Sequence, residues 1–476
     1  MPKAPSRKSV FWFFAIPTAA ILLLLGGYLA RIFYYQHQIE AAREALRADG
    51  APMSFAELAV GPPVPDEDNA ALVVNELARR YKELALGETL EKWENNEENQ
   101  LAWQFTWGRL DAEQQVELTG WLGQKDIREM LALLRTASEK PGWDSTDAPE
   151  SYAGRPMQNG RCFLHLIYIT VLEAHRLAQV ALEAKTPEAR EIATMEAYGW
   201  LLVGLKLSDL ILTDRREVGV LKCLFGMIGR SVISDNTVEL DRELPLPASL
   251  RRPLLTPLAQ WDWQVTWPRM MDADRVAFRD EISMLELNEV ALALAEVPRL
   301  GSWEWGNHKI EKVYGYVSIP SFLRQYAAFL DYQRQFRAWT AEDWEQVQQT
   351  KLLYAKALGI PVEDLRVALG ASLIWYEQLS VRTVTQAVTA TGLAVNAYAD
   401  DHGGQLPATL EALVPDYLSA LPVDPFTADG SGFHYVPTGG HFRLWALGQD
   451  GKDDRGTYDP EDWDKGDIVF RGRRAE

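Results

Sequence analysis

One long uninterrupted apolar run opens the chain, a helical rhythm of apolar positions fills its middle, and short strand-like runs close it. No charged residue occurs from Ser9 to Ala30. Within that stretch, Phe11-Trp12-Phe13-Phe14-Ala15-Ile16 and Ala19-Ala20-Ile21-Leu22-Leu23-Leu24-Leu25 are apolar on every face of a helix. A helix of about 20 residues at about 1.5 Å per residue spans about 30 Å, the hydrocarbon thickness of a bilayer. Trp12 and Tyr28 stand near its ends, where amphipathic rings settle at headgroup level. Pro17 is tolerated in such a helix. The pattern predicts one membrane anchor over residues 9–30, with Phe11, Trp12, Leu22, Leu25 and Tyr28 among its membrane-contacting side chains. Lys3, Arg7 and Lys8 precede it, whereas Arg31 is soon diluted by Glu40, Glu44 and Asp49. The positive-inside rule then makes residues 1–8 a cytoplasmic tail and puts the body across the membrane. The rival reading is a cleaved signal peptide, but the apolar run is long for one and Tyr28-Leu29-Ala30 is a poor small-x-small cleavage site.

Beyond the anchor, residues 31–67 read as a juxtamembrane segment and linker. A helix rich in Ala, Glu and Arg over 34–50 is followed by breaks at Ala51-Pro52 and Gly61-Pro62-Pro63-Val64-Pro65. Asp66-Glu67-Asp68-Asn69 then supplies capping side chains ahead of Ala70-Ala71-Leu72-Val73-Val74. Apolar residues at three- and four-residue spacing predict helices near 68–86, 112–139, 160–184, 187–212 and 216–234. Cys162 to Ile169 is strongly apolar but meets Glu173, His175 and Arg176 too soon to span a bilayer, so it reads as a buried core helix. Pro245, Pro247, Pro253 and Pro257 punctuate the next stretch. Helix is expected again over Arg279–Glu296, a loop over Gly301–His308, and helix from Pro320. Thr340-Ala341-Glu342-Asp343 is a capping box opening a helix to Leu358, and a long helix is expected from Val362 to Ala399. Residues 68–361 therefore read as a helical-bundle or solenoid-like ectodomain without a clean repeat period.

The rhythm changes after that last helix. Gly432–Pro437, Phe442–Leu447 and Asp467–Phe470 are short apolar runs set between Gly, Pro and Asp, and predict a small antiparallel sheet packed on the helix. Residues 362–476 thus form an expected α+β module, and the chain as a whole is expected to be mainly α.

The same region carries a resemblance. Ala397-Tyr398-Ala399-Asp400-Asp401-His402-Gly403, Leu406-Pro407-Ala408-Thr409-Leu410, Leu413-Val414-Pro415-Asp416-Tyr417-Leu418 and Leu421-Pro422-Val423-Asp424-Pro425-Phe426 occur in order. They are followed by Ala446-Leu447-Gly448-Gln449-Asp450-Gly451 and Gly466-Asp467-Ile468. This series resembles the C-terminal half of the major pseudopilin of type II secretion, over under a quarter of the chain. The helical middle looks similar to large bacterial envelope proteins that carry such a tail. The resemblance implies a bacterial inner-membrane protein with a periplasmic body. Two features depart from the pseudopilin pattern. Arg7-Lys8-Ser9-Val10-Phe11-Trp12-Phe13 has neither the Gly nor the Glu of a prepilin-peptidase site, and residues 31–361 stand where a pilin helix runs directly into its head.

Charge and residue chemistry narrow the function classes. The net charge is −19 and no basic stripe appears in the body, which argues against nucleic-acid binding. No phosphate-cradling glycine loop and no Gly-x-Ser-x-Gly elbow occurs, so neither nucleotide use nor that hydrolase chemistry is expected. His165 and His175 lie ten apart, the wrong spacing for shared zinc, and read as core or surface residues. Cys162 and Cys223 lack metal spacing and leave open a single bridge. Trp93, Trp103 and Trp107, Trp261, Trp263 and Trp267, and Trp303 with Trp305 cluster in sequence; helical core packing is the reading preferred over an exposed sugar- or partner-binding surface.

From Asp450 to Asp467 eight acidic residues face only Lys452, Arg455 and Lys465, on a segment bent by Gly448, Gly451, Gly456 and Gly466. Hard oxygen ligands on such a loop suit Ca²⁺, although the EF-hand spacing is absent. The resemblance implies calcium ligation by Asp450, Asp467 and the Leu447 carbonyl, with Asp453 and Asp454 placed by proximity. A solvated acidic loop is the alternative. The expected function is a non-enzymatic structural or interaction component of the envelope, working beside secretion or envelope proteins. The alternative is a periplasmic hydrolase acting on a glycan or peptide through the helical region.

Overall fold

The computed structural model describes residues 7–58, 61–91, 112–145, 160–214, 220–283, 320, 323–324, 326–340, 343–358, 372–427, 429–457 and 466–475. It is mainly helical, with one small antiparallel sheet.

Helix α1 runs from Arg7 to Ala48 without a break, so the apolar run and the juxtamembrane helix are one element. Leu22, Leu23, Leu24, Leu25 and Leu29 are all exposed along it, Tyr28 is half-buried, and burial begins only at Ile39 and Leu46. Among the described residues it is the one helix long and apolar enough to cross a membrane. Its far end joins the body. Leu46 is buried, the Ala51 N–H closes the helix on the Leu46 carbonyl, and Arg275 donates to the Pro52 carbonyl from α11.

After the short α2 (Phe55–Leu58) come α3 (Ala70–Glu83) and α4 (Leu86–Glu91). Asn69 caps α3 as its sequence position predicts, its Oδ1 accepting from Ala71 N at 3.0 Å. It also accepts from Asp144 N at 2.9 Å and donates to the Asp144 carbonyl, which pins the helix start to a distant segment. The helix expected over 112–139 is two, α5 (Ala112–Leu122) and α6 (Lys125–Ser138). The chain turns at Gly123-Gln124, and Leu122 and Ile127 on either side of the turn are both buried.

Three long helices carry most of the core: α7 (Gly160–Glu183), α8 (Pro187–Leu210) and α9 (Val220–Glu243). α7 and α8 form a hairpin, with Thr186 capping α8 through a bond from Ala189 N to its hydroxyl and Pro187 in the first turn. α8 packs on α9 closely enough that a Cβ on Gly229 would lie 2.3 Å from Ser208 Oγ. α9 continues past residue 234, where its sequence pattern fades, because Leu240 buries against the same core. The Cys162–Ile169 run is buried as expected.

α10 (Ala248–Ala259) contains Pro253 and Pro257, two of the residues read as punctuation. Burial of Leu254, Leu255 and Leu258 outweighs the lost hydrogen bonds. α11 (Trp263–Ser283) covers only the start of the expected 279–296 helix; the remainder, and the 301–308 loop, lie outside the described residues. Residues 326–336 are helical. Asp343 completes the predicted capping box by accepting from Thr340 N at 2.7 Å and Thr340 Oγ1 at 3.1 Å, ahead of α12 (Trp344–Leu358).

α13 (Ser372–Asp401) is the last long helix; the expected start at 362 lies outside the described residues. It packs against α9 and α10 on one side and against the sheet on the other. The sheet has the order β1 (His434–Thr438), β2 (His441–Ala446), β3 (Ile468–Val469), with Tyr435 opposite Leu444 and Ala446 opposite Ile468. Gly392 of α13 has no room for a side chain, since a Cβ there would lie 2.3 Å from the Phe470 ring. Module and helical body therefore share one core.

Candidate functional site

The C-terminal acidic loop is built around two buried carboxylates. Asp424, from the Leu421–Phe426 motif, is fully buried; its Oδ2 accepts from Leu447 N at 2.7 Å and its Oδ1 from Phe426 N at 3.0 Å. Burial pushes its pKa up to about 6, against the pull of those two backbone donors. The bond fixes Leu447 at the end of β2, where the chain enters a turn closed by Gly451 N on the Gly448 carbonyl at 3.0 Å. Gly448 is obligatory at this crossing, because a Cβ would lie 2.1 Å from the Gly466 carbonyl oxygen.

Asp467 is the second buried carboxylate. Its Oδ2 accepts from Gly456 N at 2.6 Å and its backbone N donates to the Thr457 carbonyl at 2.8 Å. Oδ1 is buried and has no hydrogen-bond partner among the described residues. Burial raises the Asp467 pKa, and the nearby charges of Asp453 and Asp454 add to the rise. Asp453 itself is held by Trp445 Nε1 at 3.0 Å and Arg455 N at 2.8 Å, and the Arg455 amide is the foremost cause of its lowered pKa. Asp450 is set apart from this group: its carboxylate turns back to Lys452 N at 3.1 Å and Lys452 Nζ at 3.2 Å.

Among the described residues no three His, Cys, Asp or Glu side chains form a ready metal-binding group. The one feature here that an oxygen-ligated ion would satisfy is the buried Asp467 oxygen without a donor; Asp453 is already engaged by Trp445 and Arg455. Asp459, Glu461, Asp462 and Asp464 lie outside the described residues.

A cavity of about 1190 Å³ opens between the helical body and the C-terminal module and is lined by Asp209, Arg230, Trp261, Asp262 and Trp263, among others. Arg230 is anchored at its floor. It pairs with Asp209, donates to the Pro257 carbonyl and, at 3.1 Å, to Gln386 Oε1, and lies 5.5 Å from the Trp261 ring centroid. Burial raises the Asp209 pKa, against the Arg230 charge. Sequence reasoning missed Arg230, a lone arginine inside an apolar helix pattern.

Trp263 and Trp267 are core residues. Their rings lie 5.7 Å apart, both meet Tyr376, and Trp267 Nε1 donates to the Phe336 carbonyl at 2.6 Å. Trp344 extends the cluster to Phe426 at 4.9 Å. Trp261 is half-buried at the cavity, and Trp93, Trp103, Trp107, Trp303 and Trp305 lie outside the described residues. His165 and His175 are buried and separate. The first meets the Tyr81 hydroxyl at 2.6 Å through Nδ1, the second Asn236 Oδ1 at 2.6 Å through Nε2. Cys162 and Cys223 are buried free thiols.

Of the expected anchor residues, Leu22 and Leu25 are exposed and Tyr28 is half-buried; Phe11 and Trp12 lie on the α1 backbone, and their side chains fall outside the description. No family model matches the chain, and neither a curated protein nor a solved structure matches it.

Proposed function

We propose that the chain is a membrane-tethered interaction component of a bacterial envelope, with its N-terminus cytoplasmic and its body in the periplasm. The exposed leucine run of α1 carries this reading. Five leucines standing clear of the protein at the start of a 42-residue helix need an apolar solvent. In this reading the C-terminal module is pseudopilin-like and is stabilised by Ca²⁺ at Asp467, Asp453 and Asp454, with Asp450 and the Leu447 carbonyl on the adjoining turn. Its partners are secretion or envelope proteins, and no chemistry is assigned to it. The unpartnered Asp467 oxygen supports the ion.

Two measurements test this. The full-length chain stays in the membrane fraction after high-salt and carbonate washes, and its body is digested by protease added to the periplasmic side; release of a shortened soluble chain would overturn the tether. Calcium at tenfold its dissociation constant stabilises by about 1.4 kcal/mol. A thermal melt of the full chain rises with Ca²⁺ and falls back with chelator, and Asp467→Asn abolishes the rise; equal curves with and without the ion remove calcium from the model of function.

A second reading, a periplasmic hydrolase for a glycan or peptide, is favoured by one observation. The large cavity brings Asp209 and Asp262 to its lining beside the half-buried Trp261. Two carboxylates lining one cavity with an indole are elements a glycosidase site uses. Hydrolysis of peptidoglycan fragments that is lost in Asp262→Asn would establish it.

A further inference from the structure

The protein carries a net charge of −19, yet one small cavity in it is basic. It has a volume of about 440 Å³ and lies where the end of α1 meets α2 and α11. Arg47, Arg269 and Arg337 line it, with Glu57 and Asp272 as the acidic lining residues. Behind Asp272 stands Arg275, almost wholly buried.

One buried carboxylate serves two guanidiniums here. Asp272 receives Arg337 Nε on both oxygens at 3.0 Å and Arg275 on Oδ1 at 2.8 Å. Arg275 also donates to the Pro52 carbonyl, but its Nε is buried with no partner among the described residues. Burial and the neighbouring Arg337 charge both push the Arg275 pKa down, against Asp272. Glu57 is occupied with the Met53 amide at 2.7 Å. Arg269 donates to the Asp214 carbonyl. That leaves the terminal nitrogens of Arg337 and the whole Arg47 guanidinium with no hydrogen-bond partner among the described residues.

Three guanidiniums thus line the cavity against two carboxylates, with Arg275 behind Asp272. Arg47 is exposed and Arg337 half-buried, so both can be reached from solvent, and an anion entering the cavity meets unpaired guanidinium nitrogens from two elements. Planar guanidinium forks match the oxygens of phosphate, and a phosphomonoester carries close to two negative charges at neutral pH. The volume leaves room for a substituent beyond the phosphate group.

We propose that this cavity is a binding site for the phosphate group of a small phosphomonoester, gripped by Arg47 and Arg337. The bilayer surface is not its immediate neighbour. Arg47 lies 17 residues beyond Ala30 on one continuous helix, about 25 Å away at about 1.5 Å per residue. A soluble phosphomonoester and a lipid headgroup drawn from the bilayer share the same chemistry and are separated by experiment.

The test is isothermal titration of the full-length, detergent-solubilised chain with phenyl phosphate, with phenol and with KCl of matched ionic strength as controls. Dihexanoyl phosphatidic acid forms a second arm. The expected result is saturable one-to-one binding of phenyl phosphate that Arg47→Ala weakens about tenfold or more, the loss of a charge-assisted hydrogen-bonded pair. Arg190→Ala, which removes an equal charge from an exposed site on α8, leaves binding unchanged. Tighter binding of the phosphatidic acid assigns the lipid as the source. No heat beyond the phenol and KCl controls overturns the proposal, as does an equal loss in the Arg47 and Arg190 variants. The wild-type titration decides even if the Arg47 variant is unstable.

Discussion

Arg334 Nε donates to Asp49 Oδ2 at 2.6 Å, across 285 residues of sequence. The pair joins the helical stretch over 326–336 to the residue that follows α1. Six residues earlier, Arg43 reaches the Tyr326 hydroxyl at 3.5 Å, and Leu46 is fully buried between these polar contacts. The element proposed to leave the membrane is therefore fixed to the body along its last three turns.

The buried leucine, rather than the ion pair, holds this junction. Both partners of the pair are more than two-fifths exposed, so Asp49→Ala costs at most about 1 kcal/mol. Leu46→Ala removes a fully buried side chain and costs about 2–5 kcal/mol. Denaturant unfolding of the two variants in detergent micelles orders them; equal losses would mean that the polar contacts set the joint.

A second long-range tie closes the C-terminus. Arg473 lies between Asp241 of α9 and Asp400 of α13, at 3.1 and 2.5 Å, and Asn396 supports Asp241 at 2.8 Å. Asp241 is buried, and burial raises its pKa against the pull of Arg473. Arg473→Ala leaves that carboxylate unpaired and destabilises by about 3–5 kcal/mol. Adding Asp241→Asn restores a large part of the loss, and a double-mutant cycle on thermal melts measures the coupling.

Asp424 sets a pH dependence of definite sign. Its folded pKa, about 6, lies above its ordinary 3.8. The native state therefore holds this proton more tightly than the unfolded chain. The stabilisation from this group is complete below about pH 4 and is lost as pH rises through about 6, amounting to roughly 3 kcal/mol at most. Wild-type melts between pH 4 and 8, taken relative to Asp424→Asn, show the difference falling across that window. A flat difference would place the carboxylate in a more hydrated setting.

The two thiols are inert in the folded protein. Burial pushes both Cys162 and Cys223 up to about 12, far from thiolate at neutral pH. Maleimide labels neither in native buffer and both in denaturant, with no change in mobility on non-reducing gels. Rapid native labelling of either one would show that its helix opens.

Local pattern determined a good part of this protein. An uncharged run of apolar residues needs no partner to be read as a membrane helix, and the three- and four-residue spacing of α7, α8 and α9 is a property of each segment alone. The capping side chains Asn69, Thr186 and Asp343 act within one helical turn, so sequence placed the two helix starts and the capping box it marked. The acidic loop was legible because eight carboxylates lie within eighteen residues. Only the tertiary structure decided which of them is buried. Asp450 turns back to its own neighbour Lys452, whereas Asp467 is buried with one oxygen unpartnered. The Asp424–Leu447 bond and the partners of Arg230, Arg337 and Arg473 lie tens to hundreds of residues away, and no short-range periodicity encodes such a pairing. The Pro253 and Pro257 helix likewise exists because its leucines bury against neighbours that are remote in the chain, a gain that local propensity cannot register.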